Sequence, residues 1–561
     1  MLIGIDVGGT CTDAVLLDGG TVRATAKVET QDDLLLSLGD ALDNLLKGVP
    51  GHLIKRVVFS TTLVTNLIVE NKYDPVGLVV LPGPGRTYSE LRGQDDVFCL
   101  KGAMDYRGRE ITALTESEIE EALKWLETKG YNKVAVVGKF STRNNSHELR
   151  ITDYLIKRHP DWQVEMGHRA GGKLNFPRRI ANTVFSCATR DKYRYFANAV
   201  RDAMIRRDIK APVFILKADG GTLPLTASEE VPMETIFSGP AASTLGVQAL
   251  TPPGETSLVV DIGGTTTDLA LILSGTPLLA SKGVKIGNQF TQVRALAVRS
   301  VPVGGDSVVE RLGNNFVIYS ERVGAAYCLG GPLPTPTDAL RVLGITEIGD
   351  RAKAHEAMHK LGSPIGLDAR AVAQKIVDLV VHNIVEVIEH MFLEWEQEPA
   401  YRVWEVLQKR KVRPRNVVGV GGGAAGFVPD IAARMGCLPI LPPYAPVANA
   451  IGAAVSKPTI QVNLMADTER RIFIVEEEGY QGKLAGKLDQ VSAVELAKTW
   501  IAKRAEKMQL QEYATEVEIT NQEVFNVVRG WQTAGRLYHI SAQTPRGILA
   551  YIDSEGVLLN E

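Results

Sequence analysis

The chain alternates short apolar runs with longer segments in which apolar residues recur at helical spacing. Apolar runs that predict buried β-strands lie at 56–62, 76–83, 133–140 and 211–221. Amphipathic segments at 65–72 and 116–130 follow two of these runs, and the second ends in a glycine, as helices commonly do. Alternation of strands and helices predicts an α/β fold with a largely parallel sheet.

The second half of the chain carries the longest helical pattern. Residues 368–395 begin with an aspartate, keep their apolar periodicity throughout and contain neither Gly nor Pro. Residues 416–436 predict a strand, a glycine loop and a helix, and residues 445–456 predict a helix of small residues. After Lys457-Pro458, the last hundred residues carry no glycine-rich loop and predict a mixed α/β appendage.

An internal repeat is the most informative feature of the sequence. The segment DVGGTCTD from Asp6 to Asp13 recurs as DIGGTTTD from Asp261 to Asp268, and each copy lies between apolar runs. Each copy therefore predicts a strand, a tight glycine turn and a second strand. The separation is far longer than a solenoid repeat, so we expect two similar half-molecules that each begin with the same β-hairpin.

These hairpins have the composition of phosphate-binding turns. Paired glycines allow positive φ and let backbone N–H groups approach a phosphate, while threonine hydroxyls add donors and aspartates bind hydrated Mg²⁺. An ordinary hairpin whose side chains satisfy its own turn is the alternative, and the duplication favours phosphate binding. The predicted phosphate-binding residues are Gly8, Gly9, Thr10, Thr12, Gly263, Gly264, Thr265 and Thr266. Asp6 and Asp261 are the predicted metal and catalytic residues, supported by Asp13 and Asp268.

A third glycine-rich element follows in the second half. Gly421, Gly422 and Gly423 stand between an apolar strand and a helix, where small residues let the backbone pack flat against an adenine or ribose. Close packing of a helix on a strand produces the same composition and is the alternative. After the two hairpins in chain order, this loop is predicted to bind the adenosine part of ATP.

Length and composition narrow the function classes. With 561 residues the chain exceeds one compact core, and we place domains at residues 1–230, 231–458 and 459–561. The formal net charge of -3 gives no field for nucleic acid, and no apolar run is long enough for a membrane span. Five scattered cysteines without a CxxC pair, and an N-terminus without a signal peptide, indicate a reducing cytoplasm. The sequence leaves the oligomeric state open, and a homo-oligomer is one alternative.

Several motifs together resemble the hydantoinase A/N-methylhydantoinase/5-oxoprolinase family, over roughly residues 1–457. Beyond the two hairpins and the glycine loop, the matching stretches are STTLVTN (60–66), FSTRNNSHE (140–148), FSGPAAS (237–243), PVGGDS (302–307) and TPTDA (335–339). The resemblance implies two actin/hexokinase-like (RNase H-like) lobes with an ATP cleft between them. It also implies ATP and Mg²⁺ as cofactors.

The resemblance further implies an ATP-dependent amidohydrolase subunit that opens a cyclic amide such as a hydantoin or 5-oxoproline by phosphorylating its oxygen. A hydantoinase B-type partner subunit is implied as well. Thr61, Thr62 and Asn66 are expected on the substrate side, although helix capping is an equal alternative. Gly304 and Gly305 form a further loop there, for which an ordinary turn is the alternative.

Two other functions stay open at this level. An actin-like ATPase also serves as an ATP-driven conformational switch for a partner enzyme, and a small-molecule kinase uses the same phosphate machinery. The segment His355-Glu356-Ala357-Met358-His359 matches the HExxH pattern of zinc proteases. Its polar helical flanks and the lack of a third ligand favour a solvated helix, so we expect no zinc there.

Overall fold

The structure is a computed structural model that describes residues 1–9, 11–18, 21–31, 34–85, 97–171, 174–280, 282–287, 289–397, 413–552 and 558–559. Its strands are β1 Leu2–Val7, β2 Cys11–Asp18, β3 Thr21–Glu29, β4 Arg56–Thr61, β5 Gly77–Leu81, β6 Val97–Cys99, β7 Ala103–Met104, β8 Glu110–Thr112, β9 Lys133–Gly138, β10 Gln163–Met166, β11 Val213–Leu216, β12 Thr222–Pro224, β13 Ser257–Ile262, β14 Thr267–Leu273, β15 Thr276–Pro277, β16 Lys285–Ile286, β17 Gln289–Phe290, β18 Val298–Val301, β19 Val309–Leu312, β20 Asn315–Ile318, β21 Asn416–Val420, β22 Leu438–Ile440, β23 Gln461–Asp467, β24 Ile472–Val475, β25 Tyr480–Lys483, β26 Glu518–Arg529, β27 Gln532–Gln543, β28 Tyr551–Ile552 and β29 Leu558–Leu559. Its α-helices are α1 Leu34–Leu45, α2 Leu63–Val69, α3 Glu116–Lys129, α4 Ser146–Arg158, α5 Gly167–Ala170, α6 Phe176–Arg206, α7 Leu225–Ser228, α8 Ser238–Leu250, α9 Pro336–Leu343, α10 Arg351–Gly362, α11 Ala369–Gln397, α12 Ala424–Met435, α13 Ala448–Val455 and α14 Gln490–Met508.

Two mixed sheets form the centre of the molecule and share one plan. The first has the order β12-β11-β4-β1-β2-β3, and the second has the order β15-β14-β13-β21-β22 with β18 also paired to β14. In each sheet the first strand of a repeated hairpin pairs antiparallel with its partner and parallel with a later strand, β4 or β21. The α/β fold predicted from the sequence is confirmed.

Helices α8 and α13 lie between the two sheets and share a core with residues of both. Their apolar side chains cluster with Val15 and Leu17 of the first sheet and with Val259 and Val418 of the second. The outer faces of the sheets carry separate cores, one with α1 and α6 and one with α9 to α12. The centre of the molecule is therefore a stack of helices, sheet, helix pair, sheet and helices.

The helix pair is packed backbone to backbone. A Cβ on Gly452 of α13 would lie 1.9 Å from the backbone oxygen of Ala242, and one on Gly246 of α8 would lie 2.1 Å from that of Ala448. On the other side of α13, a Cβ on Gly4 of β1 would lie 1.9 Å from the Ala450 oxygen. Glycine is required at these positions because any side chain would separate the helices from each other and from β1.

Two further sheets lie outside this stack. A parallel sheet of order β10-β9-β5-β6 is covered by α3 and α4, and a five-stranded antiparallel sheet of order β25-β24-β23-β27-β26 carries α14. Buried ion pairs join the segment between β7 and α4 to the segment of the C-terminal antiparallel sheet. Arg107 donates to Asp467 at 2.6 Å and 2.9 Å, and Arg143 donates to Glu476 at 2.9 Å and also contacts His539. We call these side chains the C-terminal clasp.

Most predicted elements are found where the sequence indicated them. The long helix is α11, and the helix at 116–130 is α3, which starts in a capping box of Thr115 and Glu118. The helix predicted at 65–72 instead spans Leu63–Val69. It starts earlier because the Thr61 hydroxyl accepts the Leu63 N–H. The domain boundaries stay predictions. None of the helices in the described ranges is both long and apolar enough to cross a bilayer.

Candidate functional site

A cavity of about 1510 Å³ opens between the two repeated hairpins. All four aspartates of the repeat line it, so the structure brings together carboxylates that are up to 262 positions apart. Of the predicted residues, those that line it are Asp6, Gly8, Gly9, Asp13, Thr62, Asn66, Asp261, Gly263, Gly264, Thr265, Thr266, Asp268, Gly305, Gly421, Gly422 and Gly423.

The two hairpins have the same register. Asp6 stands opposite Asp13 across one hairpin, and Asp261 stands opposite Asp268 across the other. The turns close in the same way, since Gly8 N–H donates to the Cys11 carbonyl at 3.1 Å and Gly263 N–H donates to the Thr266 carbonyl at 3.0 Å. Sequence identity between the copies therefore corresponds to identical backbone pairing.

The first hairpin carries two predicted phosphate-binding threonines, Thr10 and Thr12. Thr12 is not among the residues that line the cavity. Thr12 is buried, and its hydroxyl contacts that of Thr30 at 3.1 Å. Successive strand residues point to opposite faces, so Thr12 faces away from the cavity while Cys11 and Asp13 line it. Thr10 lies outside the described residues.

One amide joins the aspartates of the two hairpins. Asn449 Nδ2 donates to Asp6 Oδ2 at 3.2 Å and to Asp261 Oδ2 at 3.3 Å. Its position on α13, between the two sheets, gives it access to both hairpins. Sequence reasoning missed this residue. The available signal was a polar side chain within the small apolar segment at 445–456.

The carboxylates of the cavity are poorly solvated. Burial, with a contribution from Asp268, raises the pKa of Asp261 to about 7, and burial raises the pKa of Asp268 to about 6. Burial also raises the pKa of Asp13 to about 6, although Lys27 contacts it at 2.7 Å and opposes the shift. The pKa of Asp6 is raised by burial as well. Such crowded carboxylates favour a bound cation.

Lys27 is a second residue that sequence reasoning missed. It lies on β3 directly opposite Asp13 and lines the cavity. Its ammonium also contacts the Pro446 carbonyl at 3.5 Å. The sequence shows Lys27 only as a lysine in the strand after the hairpin. The sheet register, which places Lys27 opposite Asp13, is not visible in the sequence.

The third glycine loop closes against the second hairpin. Gly421 has φ +83°, and a Cβ there would lie 2.6 Å from Asp261 Oδ1. Gly423 N–H donates to the Ile262 carbonyl at 3.1 Å. No atom lies within 4 Å of a Cβ built on Gly422, which is exposed at the cavity wall. The loop therefore offers a flat backbone surface beside Asp261.

A further loop covers the second glycine turn. Gly305 N–H donates to the Gly263 carbonyl at 2.9 Å, and Asp306 N–H donates to the Gly264 carbonyl at 2.7 Å. A Cβ on Gly304 would lie 2.6 Å from the Gly264 backbone, which explains the glycine at this position although it is absent from the cavity wall. Arg322 pairs with Asp306 at 3.3 Å.

The predicted substrate side is a face of α2. Thr62 and Asn66 line the cavity, and Asn66 Nδ2 donates to the Thr62 hydroxyl at 3.3 Å. Thr61 is buried instead, because its N–H and carbonyl both bond to the Ser238 hydroxyl at the start of α8. Gly239 and Pro240, in the first turn of α8, also line the cavity.

The residues present fit a magnesium ion. Asp6 Oδ1 is buried without a hydrogen-bond partner, and both bridged aspartates offer oxygen ligands beside phosphate-binding turns. Mg²⁺ commonly takes one or two carboxylates and completes its shell with water and phosphate oxygens. Within the described residues, groups of three or more His, Cys, Asp or Glu that would bind a metal by themselves are absent.

The described HExxH residues do not line this cavity. It forms part of α10, and His355, Glu356 and His359 are exposed on its surface. Glu356 pairs with Lys360 at 2.6 Å and accepts a hydrogen bond from the Tyr327 hydroxyl at 3.0 Å. These contacts are those of a solvated helix face.

Comparison with known proteins gives consistent matches along the chain. A family model described as the hydantoinase/oxoprolinase N-terminal region matches residues 2–158, and one described as hydantoinase/oxoprolinase matches residues 179–462. The alpha subunit of caprolactamase from Pseudomonas jessenii is 24% identical over 490 residues, which cover 79% of this chain and 68% of that protein. The gamma subunit of acetophenone carboxylase from Aromatoleum aromaticum is 24% identical over 532 residues, covering 84% and 70%.

Solved structures share the fold. A nucleotide-free acetone carboxylase, described as carrying out ATP-dependent acetone carboxylation, superposes with a TM-score of 0.73 at 17% identity. The ATP-dependent caprolactamase from Pseudomonas jessenii superposes with a TM-score of 0.67 at 19% identity. Each match covers 97% of this chain and 87% of the other.

Proposed function

Because this chain belongs to the hydantoinase/oxoprolinase family, we propose that it is the ATP-dependent subunit of an enzyme that opens a cyclic amide. The observation that carries the proposal is the pair of matching hairpins whose four aspartates line one cavity. Relatives named as ATP-dependent caprolactamase and as carboxylase subunits support ATP use and assembly with a partner subunit.

Each part of the cavity has a role in this proposal. The turns that follow Gly8 and Gly263 present further backbone N–H groups to the phosphates, and the loop at Gly421 receives the adenosine. Asp6 and Asp261 would hold Mg²⁺, which supplies charge neutralisation for the transferring phosphoryl group. Lys27 keeps Asp13 in place beside them. Thr62, which directly precedes α2, and Asn66 of α2 are proposed to orient the amide.

The proposed reaction is a phosphoryl transfer followed by hydrolysis. The amide oxygen attacks the γ-phosphorus of ATP, the bond from that phosphorus to the β,γ-bridging oxygen breaks, and ADP leaves. Water then adds to the activated ring carbon. The carbon–nitrogen bond breaks and leaves an acyl phosphate. A second water then adds to the same carbon, the bond from that carbon to the phosphorylated oxygen breaks, and an open-chain amino acid and phosphate are released. We assign the second step to a partner subunit of the hydantoinase B type.

Isotope transfer tests the first step directly. The complex is given ATP and a lactam labelled with ¹⁸O at its carbonyl, either 5-oxoproline, a hydantoin or caprolactam, and the released phosphate is analysed by mass spectrometry. One labelled oxygen per phosphate is expected, because the amide oxygen leaves with the phosphoryl group. Unlabelled phosphate in the presence of ring opening contradicts the proposal. ATP turnover that a partner stimulates and no lactam affects favours a conformational switch instead.

A further inference from the structure

The cavity contains one polar side chain that belongs to neither hairpin yet contacts both. Asn449 is the second residue of α13, whose other residues are all small or apolar. Its amide nitrogen lies 3.2 Å from Asp6 Oδ2 and 3.3 Å from Asp261 Oδ2. An amide NH₂ group has two hydrogens, so it serves one carboxylate with each.

This arrangement leaves the Oδ1 atom of each aspartate without a hydrogen bond from Asn449. Asn449 donates to the Oδ2 atom of each aspartate, whereas Asp6 Oδ1 is buried without a hydrogen-bond partner. Asp261 Oδ1 faces the glycine loop at Gly421. The neutral amide thus fixes the orientation of the two carboxylates without neutralising their charge. Both carboxylates therefore still attract a cation.

The segment that carries Asn449 is itself held against both halves of the site. The Ala445 carbonyl accepts the Gly421 N–H at 3.2 Å, and the Pro446 carbonyl lies 3.5 Å from the Lys27 ammonium. Farther along α13, Gly452 permits contact with α8. The position of Asn449 is therefore set by elements from both central sheets.

We propose that Asn449 is a positioning residue that holds Asp6 and Asp261 together in the arrangement that a divalent cation on the nucleotide requires. This inference rests on the proposed function, because it presumes that the nucleotide occupies the cavity with its cation. Asn449 acts through the two aspartates, as residues behind metal ligands commonly do.

The test compares Asn449→Ala and Asn449→Ser with the parent chain by metal binding. Alanine removes both donors and favours the helix, whereas serine keeps one donor. Mn²⁺ binding to the ADP complex is measured by electron paramagnetic resonance, and binding of metal-free ADP is measured by calorimetry. We expect Asn449→Ala to weaken Mn²⁺ binding about 10-fold to 100-fold and to leave metal-free ADP binding within about 2-fold of the parent. Asn449→Ser is expected between the two.

Ser456→Ala is the matched control. Ser456 follows the same helix, is buried and donates to the Ala453 carbonyl at 2.7 Å, away from the cavity wall. It is expected to bind Mn²⁺ and ADP as the parent does. Parent-like Mn²⁺ affinity in Asn449→Ala overturns the inference, as does equal loss of metal-free ADP binding. If Asn449→Ala fails to fold, parent-like Mn²⁺ affinity in Asn449→Ser overturns it. If the parent chain binds neither ADP nor Mn²⁺–ADP, the proposed function itself fails.

Discussion

At the scale of single residues, Asp6 and Asp261 are the strictest test of the proposed site. Replacement by asparagine keeps the shape of the side chain and removes the charge that would bind the cation. We expect Asp6→Asn and Asp261→Asn each to reduce ATP hydrolysis by about 100-fold or more. Stability should be kept or increased, because burial raises the pKa of both carboxyls and their ionised forms are costly in the fold. Phosphate release and thermal unfolding measure the two effects.

Asp161→Asn is the control for this pair, since Asp161 is exposed in the turn before β10 and does not line the cavity. It should hydrolyse ATP at the parent rate. Parent-like hydrolysis in either cavity variant would show that these aspartates have no part in the reaction.

Residues that belong to a recognisable motif could be predicted, whereas isolated residues that the fold brings to the motif could not. Asp6 and Asp261 were predicted because two copies of one motif carry them. Lys27 and Asn449 were not, because only the strand register and the path of α13 bring them to the motif. Thr12 was predicted among the phosphate-binding residues, yet strand alternation places it on the opposite face.

At the scale of elements, the crossing of α8 and α13 tolerates no added volume. A Cβ on Gly452 would lie 1.9 Å from the Ala242 backbone oxygen and 2.5 Å from the Gly246 nitrogen. Backbone cannot yield as a flexible side chain does, so Gly452→Ala should destabilise the protein by about 3 kcal/mol or more. Chemical denaturation with urea measures the change.

Gly486→Ala is the matched substitution in open space, because no atom lies within 4 Å of a Cβ there and its φ is not positive. This control should differ little from the parent. Equal stability of the two variants would mean that the helices separate at no cost, contrary to the packing described above.

The C-terminal clasp gives a second prediction for elements, and it concerns pH. Burial, with a contribution from Arg143, lowers the pKa of His539 to about 4, while the unfolded chain keeps its ordinary value near 6.5. Between these values the unfolded chain binds a proton that the folded chain does not. The contribution of the neutral His539 to the free energy of unfolding is therefore complete above about pH 6.5. It is lost as the pH falls towards 4, and the loss is about 3 kcal/mol at most.

His539→Gln should remove this dependence while its side-chain oxygen still accepts from Arg143. Urea unfolding of both proteins at about pH 7.5 and about pH 5 provides the measurement. The parent should lose more stability than the variant on acidification. Identical losses in the two proteins would assign the acid sensitivity to other groups.

Local patterns predicted elements well where the signal was local. The strands around the hairpins and the helix α11 follow from apolar runs and periodicity. The start of α2 was predicted two residues late, because a hydrogen bond from the Leu63 N–H to the Thr61 hydroxyl begins the helix directly after the predicted strand segment. The sequence indicates the crossing of α8 and α13 only through the small residues of the two helices, because the crossing depends on contacts between distant segments.

At the scale of the whole molecule, the chain is expected to be an incomplete catalyst. The chemistry proposed for its cavity concerns ATP, and relatives are named as subunits of larger enzymes. We expect slow ATP turnover by the isolated chain and at least about 10-fold faster turnover when a partner subunit and a cyclic amide are added, because closure around the substrate would position the phosphoryl group. Steady-state ADP release measures this.

Omission of either component is the control for that stimulation. Both the partner alone and the amide alone should leave turnover near the basal rate. Ring opening by the isolated chain at an ordinary enzymatic rate would contradict the division of labour and place a complete active site within these residues.

The position of α13 also governs when this protein completes its fold during synthesis. Strand β1 leaves the ribosome well before α13, because the helix that packs on Gly4 is translated more than 440 residues later. Until that helix emerges, one face of the first sheet is covered by α8 alone, and the part that α13 would cover stays open to chaperones and proteases. A gene fragment that ends before residue 448 should therefore yield aggregated or degraded product, even though it encodes every strand of the first sheet.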